Sequence, residues 1–153
     1  MSLYSVLLFV HILGAIVWVG GSVALQVLGS RVRASGDPHR LAALASDAEW
    51  MGTRLFTSAS GVVLLAGIAL VFTGNWSFNQ LWIVLGLAAF AFSFIIGATV
   101  VGPTAKKLGE RLASHGPEDS EAQSFIQKIF LVSRIELAVM IFIVFDMAVK
   151  PGA

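Results

Sequence analysis

The chain has 153 residues, of which 57% are hydrophobic and only 12% are charged, and its mean hydropathy is +0.85. An ordinary soluble domain has roughly 25% charged residues, so a soluble globular fold is excluded. The net charge of +1 is too balanced for nucleic-acid binding, and the absence of cysteine excludes disulfides, iron–sulfur clusters and thiolate chemistry. The length and composition predict a single domain, residues 1–153, in a lipid bilayer.

Four segments are apolar and long enough to cross a bilayer as helices. About 20 apolar residues are needed to span ~30 Å of hydrocarbon. The segments that supply them are 3–28, about 55–73, about 81–101 and about 129–149. The first segment has no basic stretch before it and is longer than the apolar part of a secretory signal, so we predict that it stays as a membrane helix.

Glycine, proline and acidic residues separate these helices. Residues 36–38 (Gly-Asp-Pro) and 116–119 (Gly-Pro-Glu-Asp) each combine a helix stop with a helix start, and residues 74–77 (Gly-Asn-Trp-Ser) interrupt the longest uncharged run. Amphipathic stretches beside the breaks extend the helices beyond the membrane. The sequence therefore predicts an all-α fold: a membrane-spanning four-helix bundle, up-down-up-down, with its helices extended on the cytoplasmic side.

The basic residues indicate the orientation. If the N-terminus is outside, every lysine and arginine except Lys150 lies on the inner side, as the positive-inside rule describes. Trp76 and Trp82 then fall at the outer interface and Trp50 near the inner one, which is typical of aromatic belts. We therefore predict that both termini are outside.

One face of the first span carries its polar and small residues. At 100° per residue, this face holds Tyr4, His11, Trp18 and Ser22. Such residues usually point at other helices, because lipid offers no hydrogen-bond partner. Three roles are open for His11, the titratable group in the middle of the span: a structural hydrogen bond, the binding of a metal or cofactor, and proton handling.

The fourth span contains Arg134, Glu136 and Asp146, and each would cost roughly 2.5–3.5 kcal/mol if it stood unpaired at the bilayer centre. Arg134 and Glu136 are two residues apart and point to different sides. Glu136 is therefore expected to pair with Arg54, at the inner end of the second span. Asp146 and Lys150 are four residues apart and are expected to form a salt bridge at the outer end. A proton or ion path through these groups is the alternative.

Met140 and Met147 lie on one stripe of the fourth span at helical spacing, a pattern that belongs to a core more often than to a ligand set. One histidine with thioethers nevertheless suits Cu(I), and a His–Met pair can ligate haem. His11 and Met147 are predicted at similar depth, which makes His11 the candidate metal ligand and the two methionines candidate cofactor-binding residues. In a homodimer, the His11 residues of the two copies could also meet and ligate one haem together.

Two stretches of the chain resemble a known family. They are residues 11–21 (HILGAIVWVGG), which begin with His11 and include Trp18, and residues 146–152 (DMAVKPG), which begin with Asp146. They are similar to the first-helix signature and the C-terminus of a bacterial family of predicted integral membrane proteins of unknown function. That family is grouped with the copper-resistance protein D family. The resemblance implies a multi-pass protein of the bacterial inner (plasma) membrane.

A histidine followed seven residues later by tryptophan also resembles the first helix of the J-type, haem-containing protoporphyrinogen oxidases. In those enzymes the histidine is implicated in haem b ligation, so this distant resemblance implies that His11 binds haem b, with Trp18 beside it. This chain departs from the pattern, because its later spans hold no lysine or histidine before Lys150. An enzymatic activity of that type is therefore not favoured.

Three functions remain open from the sequence. The first is a small membrane protein that binds haem b or copper at His11, in electron transfer or metal handling. The second is a non-enzymatic structural or accessory subunit whose polar residues make interhelical contacts only. The third is a proton- or ion-coupled transporter, which would need an oligomer because four spans are few. The expected partners are the lipid bilayer and a second copy or a larger membrane complex.

Overall fold

A computed structural model describes residues 2–152, and four long helices account for most of them. Helix α1 is Leu3–Ala34, α2 is Pro38–Thr73, α3 is Leu81–His115 and α4 is Ser120–Val149. No strand occurs in this part of the chain. The prediction of an all-helical fold is confirmed, and each apolar run is part of a longer helix.

The predicted helix starts after the two loops are confirmed. The carboxylates of Asp37 and Asp119 each accept hydrogen bonds from two backbone N–H groups in the first turn of α2 and α4. These N–H groups have no partner within the helix, so the side chains satisfy them. Gly116 ends α3 with φ at +81°, a left-handed conformation that glycine adopts without a steric penalty.

Two of the helices contain a π-helical turn, which the sequence did not predict. The turns are Met51–Phe56 in α2 and Gly97–Val101 in α3. The Thr57 hydroxyl donates to the Gly52 carbonyl at 2.9 Å, across the wider first turn. Such bulges frequently lie at functional sites.

Helices α1, α2 and α3 are long and apolar enough to cross a membrane. Helix α4 is not among these candidates, because Arg134, Glu136 and Asp146 interrupt its apolar part. Four spans were predicted, and length and composition support three of them. All four helices nevertheless expose large apolar side chains, for example Phe9 at 63%, Leu65 at 70%, Phe94 at 66% and Phe145 at 62%.

Helix α1 packs closely against α2. Gly14 lies beside Ala59 and Val63, and Gly21 lies beside the ring of Phe56. Small residues let two helix backbones approach in this way. Residue numbers rise along α1 as they fall along α2, so the two helices run in opposite directions where they touch.

Helices α2 and α3 meet in two hydrophobic clusters at opposite ends of the molecule. The basic-end cluster is Leu41, Leu108, Ala122 and Ile126, with Val32 of α1 packed against it. The tryptophan cluster is Val71, Trp82 and Ile83, with Trp76 and Met147 packed against it. Other contacts join α1 to α2, α1 to α4 and α3 to α4. The two π turns lie between the clusters.

Candidate functional site

A cavity of about 390 Å³ lies between the helices at the level of the two π turns. Gly52 and Phe56 of the first turn and Gly97 and Val101 of the second turn line it. Helices α1 and α4 supply further lining residues, which include Trp18, Ser22, Gln26, Ser133, Glu136 and Met140. Both irregular turns therefore border one space, which residues of all four helices line.

The cavity wall is acidic. Among its residues, Glu136 is half-buried and Glu49 is exposed, and the described part of the wall contains no lysine, arginine or histidine. Glu136 forms no ion pair within residues 2–152. A carboxylate therefore faces this space without a cation from the described chain.

Two polar groups of the wall lack hydrogen-bond partners. Ser93 is only 4% exposed, and neither its hydroxyl nor the side-chain oxygen of Gln26 finds a partner among the described residues. Buried polar groups are normally hydrogen-bonded, and those of a cavity are often satisfied by water or a ligand. Ser22, by contrast, donates to the Trp18 carbonyl at 2.9 Å.

An aromatic pair borders the end of the cavity toward the tryptophan cluster. The rings of Trp18 and Phe90 pack edge to face with centroids 5.7 Å apart. Met140, 6% exposed, lies beside them, with its sulfur 4.0 Å from the Ser22 hydroxyl. Trp18 and Met140, both predicted to bind a cofactor, therefore line the same cavity.

His11 lies outside this cavity, where α1 contacts α2. Its Nδ1 is 2.9 Å from the Val63 carbonyl oxygen. A carbonyl oxygen can only accept, so Nδ1 carries the proton and, in the neutral ring, Nε2 is the unprotonated nitrogen. Gly67 makes room for the ring, since a Cβ there would lie 3.1 Å from His11 Cε1.

Met147 packs in the tryptophan cluster against Gly86 of α3, whereas His11 contacts α2 at Val63 and Gly67. The structure therefore shows no shared binding site for His11, Met140 and Met147. No group of three or more His, Asp or Glu side chains among residues 2–152 is placed to hold a metal ion.

The predicted pair of Arg54 and Glu136 does not form. Arg54 lies within the first π turn, whose wider winding changes the direction of its side chain relative to a regular helix, and it is exposed. The ion pairs of the described residues are instead at the basic end. There Arg111 contacts Asp119 at 2.8 Å and Glu121 at 3.2 Å.

The predicted salt bridge between Asp146 and Lys150 does not form either. Lys150 ends α4 in a left-handed conformation, with φ at +49°, so the regular four-residue spacing no longer applies. Its ammonium lies 4.9 Å from the ring centroid of Trp76 and 5.3 Å from that of Trp82. Asp146 is 2% exposed, and its oxygens have no hydrogen-bond partner in the described chain.

Comparison with known proteins identifies a family. A family model described as "Predicted integral membrane protein (DUF2269)" matches residues 5–151, nearly the whole chain. No curated protein and no solved structure matches. These comparisons give no support to the resemblance to the copper-resistance protein D family or to the protoporphyrinogen oxidases.

Proposed function

We propose that this chain, which belongs to the DUF2269 family of predicted integral membrane proteins, binds a small cationic ligand in the cavity between its helices. The observation that carries the proposal is Glu136, a carboxylate that faces the cavity without an ion pair in the described residues. Ionisable groups within a membrane are costly and mark substrate or ion pathways by default. The positive charge of the ligand would compensate the negative charge of Glu136.

Two other polar residues of the cavity wall support a ligand that donates hydrogen bonds. Gln26 offers an unpartnered acceptor oxygen, and the Ser93 hydroxyl can accept as well as donate. A primary ammonium group has three donors and a positive charge, so it matches these three side chains together. Trp18, at the border of the same cavity, adds an aromatic surface that attracts cations.

The proposal places all four helices across the bacterial plasma membrane, up-down-up-down, with both termini outside. Helix α4 belongs with the others because it exposes apolar side chains, among them Leu131 at 61% and Ile135 at 51%, whereas Glu136 and Asp146 are turned inward. Every basic residue except Lys150 then belongs to the cytoplasmic side.

Of the functions that the sequence left open, the transporter agrees best with this site, because a charged group that faces an intramembrane cavity is typical of substrate and ion pathways. A purely structural subunit would be expected to satisfy its buried polar groups internally. The unpartnered Ser93 and Gln26 favour a binding role over that alternative.

Thermal unfolding of the purified protein in detergent tests the proposal, with butylamine as the probe. Butylamine should raise the unfolding midpoint of the wild type, because a ligand that binds the folded state stabilises it. Glu136→Gln should weaken the apparent affinity about 10- to 100-fold, which corresponds to about 1.5–3 kcal/mol for a hydrogen bond to a charged group. Glu110→Gln, an exposed position on α3 outside the cavity, is the matched control. Equal affinity in the two variants would disprove the proposal.

Haem b binding at His11 is a second candidate, and one observation favours it. Histidine ligands commonly donate their second ring N–H to a backbone carbonyl, and His11 Nδ1 does so to Val63, which leaves Nε2 for an iron. The residues present therefore offer one ligand nitrogen, Nε2 of His11, which would hold the haem iron. His11 of a second copy would be the other ligand, in a homodimer. A haem held in this way would supply one-electron chemistry.

A visible absorption spectrum with metal analysis tests this second candidate. The wild type should show a Soret band that His11→Ala abolishes and His39→Ala retains, since His39 lies at the basic end in the first turn of α2. A colourless wild type without stoichiometric metal would disprove it. A copper site of His11 with Met140 and Met147 is not proposed, because the two thioethers pack elsewhere.

A further inference from the structure

One side of the cavity is open between α2 and α3. The lining residues Thr53 and Thr57 of α2 and Phe94 and Ala98 of α3 are exposed. On each helix the two residues are four positions apart, so they form a short stripe along the edge of the opening. The basic-end cluster and the tryptophan cluster join the two helices at either end of it. We call this opening the α2–α3 window.

With the helices placed across the bilayer as proposed above, the α2–α3 window faces lipid rather than water. The chain has no charged residue between Arg54 and Lys106, and this stretch contains most of the window. Phe94 is 66% exposed and its neighbour Ile95 is 56% exposed, as expected of side chains in contact with hydrocarbon.

The polar residues of the window edge are already satisfied. The Thr53 hydroxyl donates to the Glu49 carbonyl and the Thr57 hydroxyl to the Gly52 carbonyl, each at 2.9 Å. Neither hydroxyl proton is therefore free to donate into the opening. Gly52 and Gly97 of the two π turns widen the space further, since no atom apart from those of the adjacent residues and the local helix backbone lies within 4 Å of their Cβ positions.

The inside of the cavity is more polar than the edge of the window. Glu136, Ser93 and Gln26 supply a carboxylate and two unpartnered polar groups, and the wall described above holds no basic residue. Phe56, Phe90 and Ile129 make much of the remaining wall apolar. A polar interior reached through an apolar opening matches an amphiphile with a positively charged head.

We propose, building on the proposed function, that the ligand is a membrane-soluble amine with a hydrocarbon chain, which enters from the bilayer. Its ammonium head binds at Glu136, with Ser93 and Gln26 as further hydrogen-bond partners. Its chain leaves the cavity through the α2–α3 window, between the stripes of Thr53 and Ala98. The cavity is then a site for a lipid-like amine and not for a solute taken from water.

The ligand class is tested with three probes on the protein in detergent: dodecylamine, butylamine and dodecanol. Dodecylamine should stabilise the wild type at concentrations at least about tenfold lower than butylamine, because each buried methylene adds to binding. Dodecanol, which lacks the charge, should stabilise much less, and Glu136→Gln should remove the advantage of the amine over the alcohol.

The window itself is tested by narrowing it. Ala98→Phe places a ring at the edge of the window, and Ala91→Phe places the same ring at an exposed position of α3 outside the cavity. Ala98→Phe should reduce the affinity for dodecylamine about tenfold, while butylamine binding and the unfolding midpoint without ligand match those of Ala91→Phe.

The outcomes separate this inference from the proposed function. If butylamine binds in a Glu136-dependent manner and dodecylamine binds no better, the ligand is not an amphiphile. The proposed function, a cation site at Glu136, then stands. If Ala98→Phe and Ala91→Phe bind dodecylamine with equal affinity, the hydrocarbon chain does not pass through the α2–α3 window. If no amine distinguishes the wild type from Glu136→Gln, the proposed function fails, and this inference fails with it.

Discussion

Helix α2 packs in two different ways on its two sides. Against α1, small residues let the backbones approach, and Val63 and Phe56 fill the space beside Gly14 and Gly21. Against α3, contact is made in the basic-end and tryptophan clusters, and the cavity lies between them. The first contact stabilises the fold, whereas the second leaves space for a ligand.

Glycine shows this difference most clearly. A Cβ at Gly14 would lie 2.9 Å from a methyl carbon of Val63, and one at Gly67 would lie 3.1 Å from His11. At Gly52 and Gly97 no atom apart from those of the adjacent residues and the local helix backbone lies within 4 Å of the same position. The same residue type thus permits close packing at one contact and open space at the other.

The largest effect on stability is expected where α1 meets α2. Gly14→Leu would push a side chain into Val63 and Ala59, and overpacking of this kind costs about 1–3 kcal/mol of unfolding free energy. Gly20→Leu is the control, because the described residues leave the space around its Cβ position free. Thermal unfolding in detergent should show a lower midpoint for Gly14→Leu. Equal midpoints would contradict close packing of α1 on α2.

A second pair of variants tests the same contact at His11. Both Gly67→Ala and Gly61→Ala should gain up to about 1 kcal/mol from helix propensity, since both positions lie inside the same helix. In Gly67→Ala the imidazole must also shift, and weakening its hydrogen bond to Val63 costs up to about 0.5–1.5 kcal/mol, whereas the space around the Cβ position of Gly61 is free. The unfolding midpoint of Gly67→Ala should therefore lie below that of Gly61→Ala. Equal midpoints of the two variants would show that the ring does not lie against Gly67.

The stability that the basic end gives to the fold, where α2 and α3 do meet, should decrease in acid. The hydrogen bond from Arg111, followed by the backbone N–H of Ala122, lowers the pKa of Asp119 from 3.8 to about 2. Because the pKa is lower in the folded state, the ionised carboxylate stabilises the fold above about pH 4, and this stability is lost as the pH falls toward 2.

The variant Asp119→Asn keeps a capping side chain and loses the charge, so its unfolding midpoint should change less over that acid range. Unfolding curves recorded from neutral pH down to pH 2 make the comparison. An identical decline in wild type and variant would mean that other groups cause the acid response.

The smallest effect is expected at the tryptophan cluster. Lys150→Gln removes the ammonium from the rings of Trp76 and Trp82 and should cost about 0.5–1 kcal/mol, while Lys150→Arg should retain most of the stability. Tryptophan emission during unfolding reports on this end of the molecule. Equal stability of the two variants would assign no stabilising role to the cation.

The sequence predicted the helices and their ends because local signals determine them. Asp37 and Asp119 cap helices where predicted, and the polar face of α1 turns toward its neighbours, with Trp18 and Ser22 at the cavity and His11 at α2. Helical periodicity is sufficient for such predictions, since they depend on a single helix at a time.

The ion pairs could not be predicted because they depend on irregular backbone. A π turn changes the direction of Arg54, and a left-handed end changes that of Lys150, so neither residue meets the carboxylate expected from regular spacing. The cavity depends on how four helices are arranged. Its one signal in the sequence was a set of polar residues in apolar spans, Ser93 and Glu136 among them.

The most decisive measurement is the equilibrium binding of a radiolabelled primary amine to the purified wild type, to Glu136→Gln and to Glu110→Gln. We predict saturable binding to the wild type and to Glu110→Gln, with affinity about 10- to 100-fold lower in Glu136→Gln. Saturable binding of equal affinity in all three proteins, or binding in none of them, would contradict a cation site at Glu136.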